Sequence, residues 1–169
     1  MKRPRILFCD LDDTLITTLS GKTFAQGIWD MQPKFDVWDK IREIMPEYVF
    51  IVTNQGGIGR FVTEEEFECK LDFITAGLRR YIKSNVLEGV DAMYCPSVEK
   101  EDPMRKPNPG MGEYLIDTFD LKDIDKSDML MIGDASGLPG NFSDSDKGFA
   151  DNFGIKYLDV NDFVKVAFQ

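Results

Sequence analysis

The sequence contains no histidine. That absence removes Ser-His-Asp and Cys-His catalysis, HExxH zinc sites and every imidazole general base. Any nucleophile or proton carrier must be a carboxylate, Lys, Tyr, Ser, Thr or Cys. Cysteine is scarce: Cys9, Cys69 and Cys95 are odd in number and far apart. They form neither a disulfide framework nor zinc-ligand spacing, and read as reduced thiols that mostly pack. No apolar run approaches the roughly 20 residues a membrane-spanning helix needs. The basic start, Met1 to Arg5, leads into an apolar stretch that Asp10, Asp12 and Asp13 soon interrupt. A secretory signal needs a longer unbroken run, so a cytoplasmic protein without membrane contact is expected.

Positive charge is also in deficit. Against 30 Asp and Glu stand 20 Lys and Arg, a formal net charge of -10. Such a field repels polyanions at long range and argues against non-specific DNA binding, while leaving room for a local basic patch. Internal repeats, low-complexity tracts and long linkers are missing too. The 169 residues suit one domain, residues 1–169, with a real core. Nothing in them requires more than a monomer.

Apolar strand-like runs alternate with helical patterns, which predicts an α/β fold: a mostly parallel sheet with helices on both faces. Strands are expected at Ile6 to Cys9, Val49 to Val52, Val90 to Tyr94, Met129 to Ile132 and Ile155 to Leu158. Helices are expected over Lys34 to Met45, after the capping-box pair Thr63 and Glu66, over Gly110 to Phe119, over Ser143 to Phe153 and over Val160 to Phe168. Gly154 marks the end of the fourth. Polar residues sit just past the apolar strands. In open α/β sheets the site lies in the crevice beyond the strands' carboxyl ends, which places Asp10, Thr53 and Asp134 there.

Four motifs carry chemistry. In Asp10-Leu11-Asp12-Asp13-Thr14, an extended chain would turn Asp10 and Asp12 to one side. Two close carboxylates need a cation or a shared proton, and magnesium suits a few carboxylates plus water and phosphate oxygen. The same residues also suit a turn or a helix cap. Thr53-Asn54-Gln55-Gly56-Gly57-Ile58-Gly59-Arg60 offers a hydroxyl and loop amides to phosphoryl oxygens, or is simply a flexible loop. It is neither a Walker loop nor a dinucleotide fingerprint. Arg105-Lys106-Pro107 sets one lysine in a backbone stiffened by proline; aimed at the site, it could neutralise phosphate and carboxylate together. Gly133-Asp134 ends a buried strand and offers a metal ligand, with Asp144 or Asp146 to support the metal or the lysine. Each motif has a bland structural explanation; their conjunction, a metal-plus-phosphate set, is harder to dismiss.

Taken in order, Asp10-x-Asp12-x-Thr14, Thr53, Lys106 and Gly133-Asp134 resemble the four motifs of the haloacid dehalogenase superfamily of aspartate-nucleophile phosphatases. A closer resemblance, to the 3′-phosphatase domain of polynucleotide kinase 3′-phosphatase, is carried by Thr17-Thr18-x-Ser20-Gly21-Lys22-x-Phe24, the Thr53 to Arg60 run, Arg105-Lys106-Pro107, Gly133 to Gly137 and Phe142-Ser143-x-x-Asp146. Aligned so, Asp146 rather than Asp144 is the second acid of the fourth motif. Asp13 stands where that family often has Gly, and the kinase half, with its Walker loop, is absent. The 52 residues from 54 to 105 leave no room for a large cap domain. Cys95 stands alone, so the cysteine-rich zinc loop of some related small-molecule phosphatases is not expected.

The resemblance implies a three-layer Rossmann-like fold and a magnesium-dependent phosphatase. In it Asp10 is the nucleophile and Asp12 the general acid and base. Thr53 and Lys106 hold phosphoryl oxygens. Asp10, the backbone carbonyl of Asp12, and Asp134 bind Mg2+, with Asp146 supporting. Thr14, Asn54 and Gln55 are further candidate substrate contacts, and Arg60, Lys22 and Arg105 are candidates for a substrate's remaining phosphates. The implied substrate is a polynucleotide 3′-phosphate, with a role in DNA repair. The alternatives are a phosphatase of the histidinol-phosphate or heptose-bisphosphate type, a phosphomutase-like transferase, and a catalytically silent binding protein.

Overall fold

Ile6–Cys9 is a run of four residues without solvent exposure, so this strand must be covered on both faces. The structure, a computed structural model, describes residues 1–140 and 143–169; Phe142 of the fourth motif lies outside them. In chain order the elements are β1 (Ile6–Cys9), β2 (Ile16–Thr18), β3 (Met31–Pro33), α1 (Phe35–Ile44), β4 (Tyr48–Asn54), α2 (Glu64–Ile82), β5 (Gly89–Cys95), α3 (Gly110–Thr118), β6 (Met129–Gly133), α4 (Ser145–Phe153), β7 (Lys156–Asp159) and α5 (Val160–Phe163).

The main sheet runs β5-β4-β1-β6-β7 with every pair parallel. Side chains alternate between its faces. Leu7, Cys9, Val49, Ile51, Leu130 and Ile132 meet the apolar stripes of α1, α2 and α5. Ile6, Phe8, Phe50, Val52, Met129 and Met131 meet α3 and α4. The result is a three-layer Rossmann-like α/β core without a large separate cap. The chain builds outward from β1 through β4 to β5, then crosses to β6 on the other side of β1. That reversal is the switch point at which such sheets bind ligands.

Two features depart from the sequence expectation. A small antiparallel pair, β2 with β3, was not foreseen. Its strands have three residues each, and one carries Pro33, so periodicity cannot reveal it. A buried carboxylate ties its far end instead: Asp30 accepts from Ser20 N, Ser20 Oγ and Gln26 N at 2.7, 2.8 and 2.9 Å. The terminal helix is also shorter than the pattern suggests. After Phe163 the chain turns and runs beside the other terminus: Met1 N donates to Ala167 O, Gln169 N to Met1 O, and Arg3 N to Gln169 O. Phe168 is buried there against Phe163.

Candidate active site

The four motifs stand at the carboxyl ends of the three inner strands, β4, β1 and β6, and in the loop leading to α3. Asp10 follows β1 directly, and its backbone N–H still donates to Ile132 O of β6, which fixes the start of its side chain. Thr53 and Asn54 end β4, and Asp134 follows β6. Lys106 is 96 positions from Asp10, yet its Nζ donates to Asp10 Oδ1 at 2.6 Å. It also donates to Asp146 Oδ1 at 2.7 Å and to Val52 O at 2.7 Å. An ammonium has three N–H donors, so Lys106 is fully committed. It is 3 % exposed.

Asp146 completes this centre. Its Oδ1 takes the lysine and its Oδ2 accepts from Ala135 N at 3.0 Å. Asp144 is exposed at the start of α4 and turns away from this role. Of the two acids weighed for the fourth motif, Asp146 is the one brought to Lys106, and Asp144 is not. One carboxylate oxygen each from Asp10, Asp134 and Asp146 lies within 4.8 Å of the others.

Three acids facing one ammonium leave negative charge over. Burial pushes Asp10 up to about 8, with Lys106 pulling the other way and Asp146 adding to the rise. Burial likewise raises Asp134 to about 6, helped by Asp146. Burial works against the charge on Lys106, but Asp10 and Asp146 outweigh it and hold the ammonium firmly protonated. Burial and like charge both disfavour the ionised carboxylates. A divalent cation ligated by oxygen would relieve both, and carboxylates this close are the ligands magnesium takes. The cluster is thus able to chelate a divalent metal.

The carboxylate of Asp12 is not part of that cluster. Sequence reasoning expected it to converge with Asp10, but the strand ends at Cys9 and the chain turns, with Asp13 in the left-handed region at φ 55°. Asp12 Oδ2 accepts from Gln55 Nε2 at 2.8 Å, and Oδ1 faces Lys70 Nζ at 3.4 Å. Gln55 spends its other N–H on Thr53 Oγ1 at 2.9 Å. The Thr53 hydroxyl, an acceptor there, keeps its own proton to give.

The remaining predicted contacts are spread out. Asn54 pairs reciprocally with the backbone of Lys106, Nδ2 to its carbonyl and Oδ1 from its N–H, both at 2.9 Å. Thr14 is fully buried, and its Oγ1 is the one buried side-chain polar atom among the described residues without a hydrogen bond. Arg105 donates to Ser97 O at 2.6 Å. Lys22 donates to Gln26 Oε1 at 3.1 Å. Arg60 lies over the Phe61 ring, 4.8 Å from its centroid, beside a surface cavity of about 280 Å³ that Gly59, Thr63 and Glu66 help to line.

Lys70 is the residue that sequence reasoning missed. Its signal was present. On α2 the buried stripe is Phe67, Leu71, Ile74, Leu78 and Ile82, and Lys70 falls on the same side, three after Phe67 and four before Ile74. A lysine inside an apolar stripe announces a buried partner.

Comparison with known proteins agrees with this geometry. The model of the polynucleotide kinase 3 phosphatase family matches residues 5–163. A bifunctional polynucleotide phosphatase/kinase of Schizosaccharomyces pombe is 30% identical over 92% of this chain. The chain spans only 36% of that relative's length. An uncharacterized 20.8 kDa protein of Autographa californica nuclear polyhedrosis virus is 28% identical over 98% of this chain and 88% of its own. Among solved structures, the D,D-heptose 1.7-bisphosphate phosphatase from B. bronchiseptica, complexed with magnesium and phosphate, superposes with a TM-score of 0.67. It is 18% identical over 93% of this chain and 79% of its own, a likeness of fold alone. The three-layer core is shared with that structure, the acids lie where a divalent metal can be held, and the family model runs nearly end to end: the chain belongs to the polynucleotide kinase 3 phosphatase family.

Proposed function

We propose that this protein is a magnesium-dependent phosphomonoester hydrolase that works through an aspartyl-phosphate on Asp10. The observation that carries this is Asp10 itself. It is a carboxylate at the switch point of the sheet, 9 % exposed, 2.6 Å from a buried ammonium and grouped with two further acids. An ionised carboxylate needs no histidine to activate it, which suits a chain without one.

In the first step an Asp10 oxygen attacks phosphorus. An Asp10–phosphorus bond forms, the bond to the leaving oxygen breaks, and Asp12 gives that oxygen its proton. In the second step Asp12 takes a proton from water as the water oxygen attacks phosphorus. Inorganic phosphate leaves and the Asp10 carboxylate returns. Thr53 donates its hydroxyl proton to a phosphoryl oxygen. Lys106 balances charge and holds Asp10 in line, while Asn54 fixes the lysine's backbone. Asp10, Asp134 and the backbone carbonyl of Asp12 would hold Mg2+, with Asp146 in support. When bound, the ion screens the repulsion between an anionic nucleophile and an anionic phosphate. Phosphoryl transfer asks for positioning and charge stabilisation, and this set supplies both.

For the substrate, the charges favour a small phosphate ester of the sugar-phosphate type. The chain carries a net charge of -10, a field that repels a polyanion at long range and spares a small ester. A second reading, a polynucleotide 3′ end, is supported by the family model and by the name of the fission-yeast relative. The test has two parts. Asp10→Asn should abolish turnover and leave no acid-stable, hydroxylamine-labile phosphoenzyme, and full activity in that variant overturns the mechanism. Comparing kcat/KM on a 3′-phosphorylated oligonucleotide, a 5′-phosphorylated one and a panel of sugar phosphates separates the two substrate classes.

A further inference from the structure

We infer that Lys70 is a positioning residue for phosphoryl transfer: together with Gln55 it clamps the Asp12 carboxylate in one orientation, apart from the Asp10, Asp134 and Asp146 cluster. This rests on the reading of Asp12 as the acid and base of the reaction.

Lysine is almost never buried without a partner. Lys70 is 7 % exposed, set among Phe67, Leu71 and Ile74, with its ammonium 5.7 Å from the Phe67 ring centroid. The carboxylate at ion-pair distance is Asp12, 58 positions away, at 3.4 Å. The side chains of both partners are about nine-tenths shielded, 9% and 13% exposed. This is not one of the solvated pairs that decorate the helix surfaces, such as Lys147 with Asp151.

The clamp acts on both oxygens of Asp12 from two different elements. Gln55, in the loop after β4, holds Oδ2, and Lys70, in the second turn of α2, holds Oδ1. The helix is anchored just upstream by a capping box: Thr63 Oγ1 accepts from Glu66 N, and the Glu66 carboxylate accepts from Thr63 N. Gln55 continues the chain of contacts to Thr53 Oγ1. Lys70, Asp12, Gln55 and Thr53 therefore form one line, in which the proton carrier and the hydroxyl offered to phosphate are set by the same amide. Without Lys70 only one oxygen of Asp12 is held, and the carboxylate is free to rotate about its terminal bond. A proton donor misplaced by such a rotation loses rate without losing substrate affinity.

The test uses the Mg2+-loaded full chain in single turnover, reading phosphoenzyme formation on two substrates. An aryl phosphate such as p-nitrophenyl phosphate leaves without a proton, whereas a simple alkyl phosphate needs one. In Lys70→Met the alkyl-phosphate rate should fall at least tenfold more than the aryl rate, with KM changed less than twofold. Lys70→Arg should recover part of the loss. Lys70→Gln, which keeps a hydrogen-bond donor on a neutral chain, serves if the Met variant fails to fold in a melting experiment. Equal loss on both substrates, or no rescue by Arg, overturns the positioning role. Asp12→Asn is measured alongside. If it spares the alkyl-phosphate rate, the acid–base reading of Asp12 itself fails. If it removes that rate while the Lys70 variants behave as the wild type, only the role of Lys70 fails.

Discussion

Asp146 fills the space that a side chain at Gly133 would need: a Cβ built on the glycine would clash with Asp146 Oδ2 and lie 2.5 Å from its Cγ. The glycine at the end of β6 is thus required by the acid that crosses it. Asp146 cannot withdraw cheaply, because its oxygens hold Lys106 and the Ala135 N–H. Gly133→Ala should cost about 1–3 kcal/mol of stability. It should also lower kcat by roughly tenfold or more as the lysine loses its seat. Urea denaturation and steady-state rates on one substrate check the pair of effects together.

Lys106 should matter to the fold as much as to the chemistry. Lys106→Met leaves Asp10 and Asp146 buried without their cation, and breaking a buried pair by removing one partner costs about 3–5 kcal/mol. Arginine should not rescue it, since a planar fork cannot reach three acceptors converging on one point, Asp10 Oδ1, Asp146 Oδ1 and Val52 O. Equilibrium unfolding of both variants, with chelator present, measures this.

The pH dependence has a definite sign. Burial, opposed by Lys106, places the Asp10 carboxyl near 8 in the folded chain. An unfolded aspartate titrates at about 3.9. A carboxyl raised in this way favours folding while it is protonated. Its contribution is whole below about pH 4 and is lost as pH climbs toward 8. In chelator, the melting temperature of the wild type should therefore fall relative to Asp10→Asn between pH 5 and 8. With Asp134 also raised, to about 6, magnesium must displace protons to bind. Its affinity should rise between pH 6 and 8, and calorimetry in buffers of different ionisation enthalpy should show proton release. An affinity flat across that range would contradict the ligand set.

Most of the sheet was legible because its strands announce themselves. Ile6 to Cys9 is apolar without a break, and the structure begins and ends β1 there. The capping box at Thr63 and Glu66 has purely local causes and forms as expected. What stayed hidden depends on distance in sequence. The side chain of Asp12 is placed by Gln55 and Lys70, which no window around residue 12 contains. The β2 and β3 pair is held by the buried carboxylate of Asp30 rather than by a hydrophobic period. The last residues read as a continued helix, but pairing with Met1 and Arg3 satisfies their backbone in another way. Asn54 and Gln55 were recognised as part of a motif; that one secures the lysine's backbone and the other the second aspartate needed coordinates.

β1 is the middle strand, bordered along its full length by β4 and β6, and neither face nor edge of it meets water. Edge strands fray first, so β5 and β7 can loosen while the centre holds. The amides of Leu7 to Cys9 have no such partial route, and their protection from exchange is expected to approach the free energy of global unfolding. The aspartate at the end of that strand is consequently mounted on a segment whose amides are expected to exchange among the slowest.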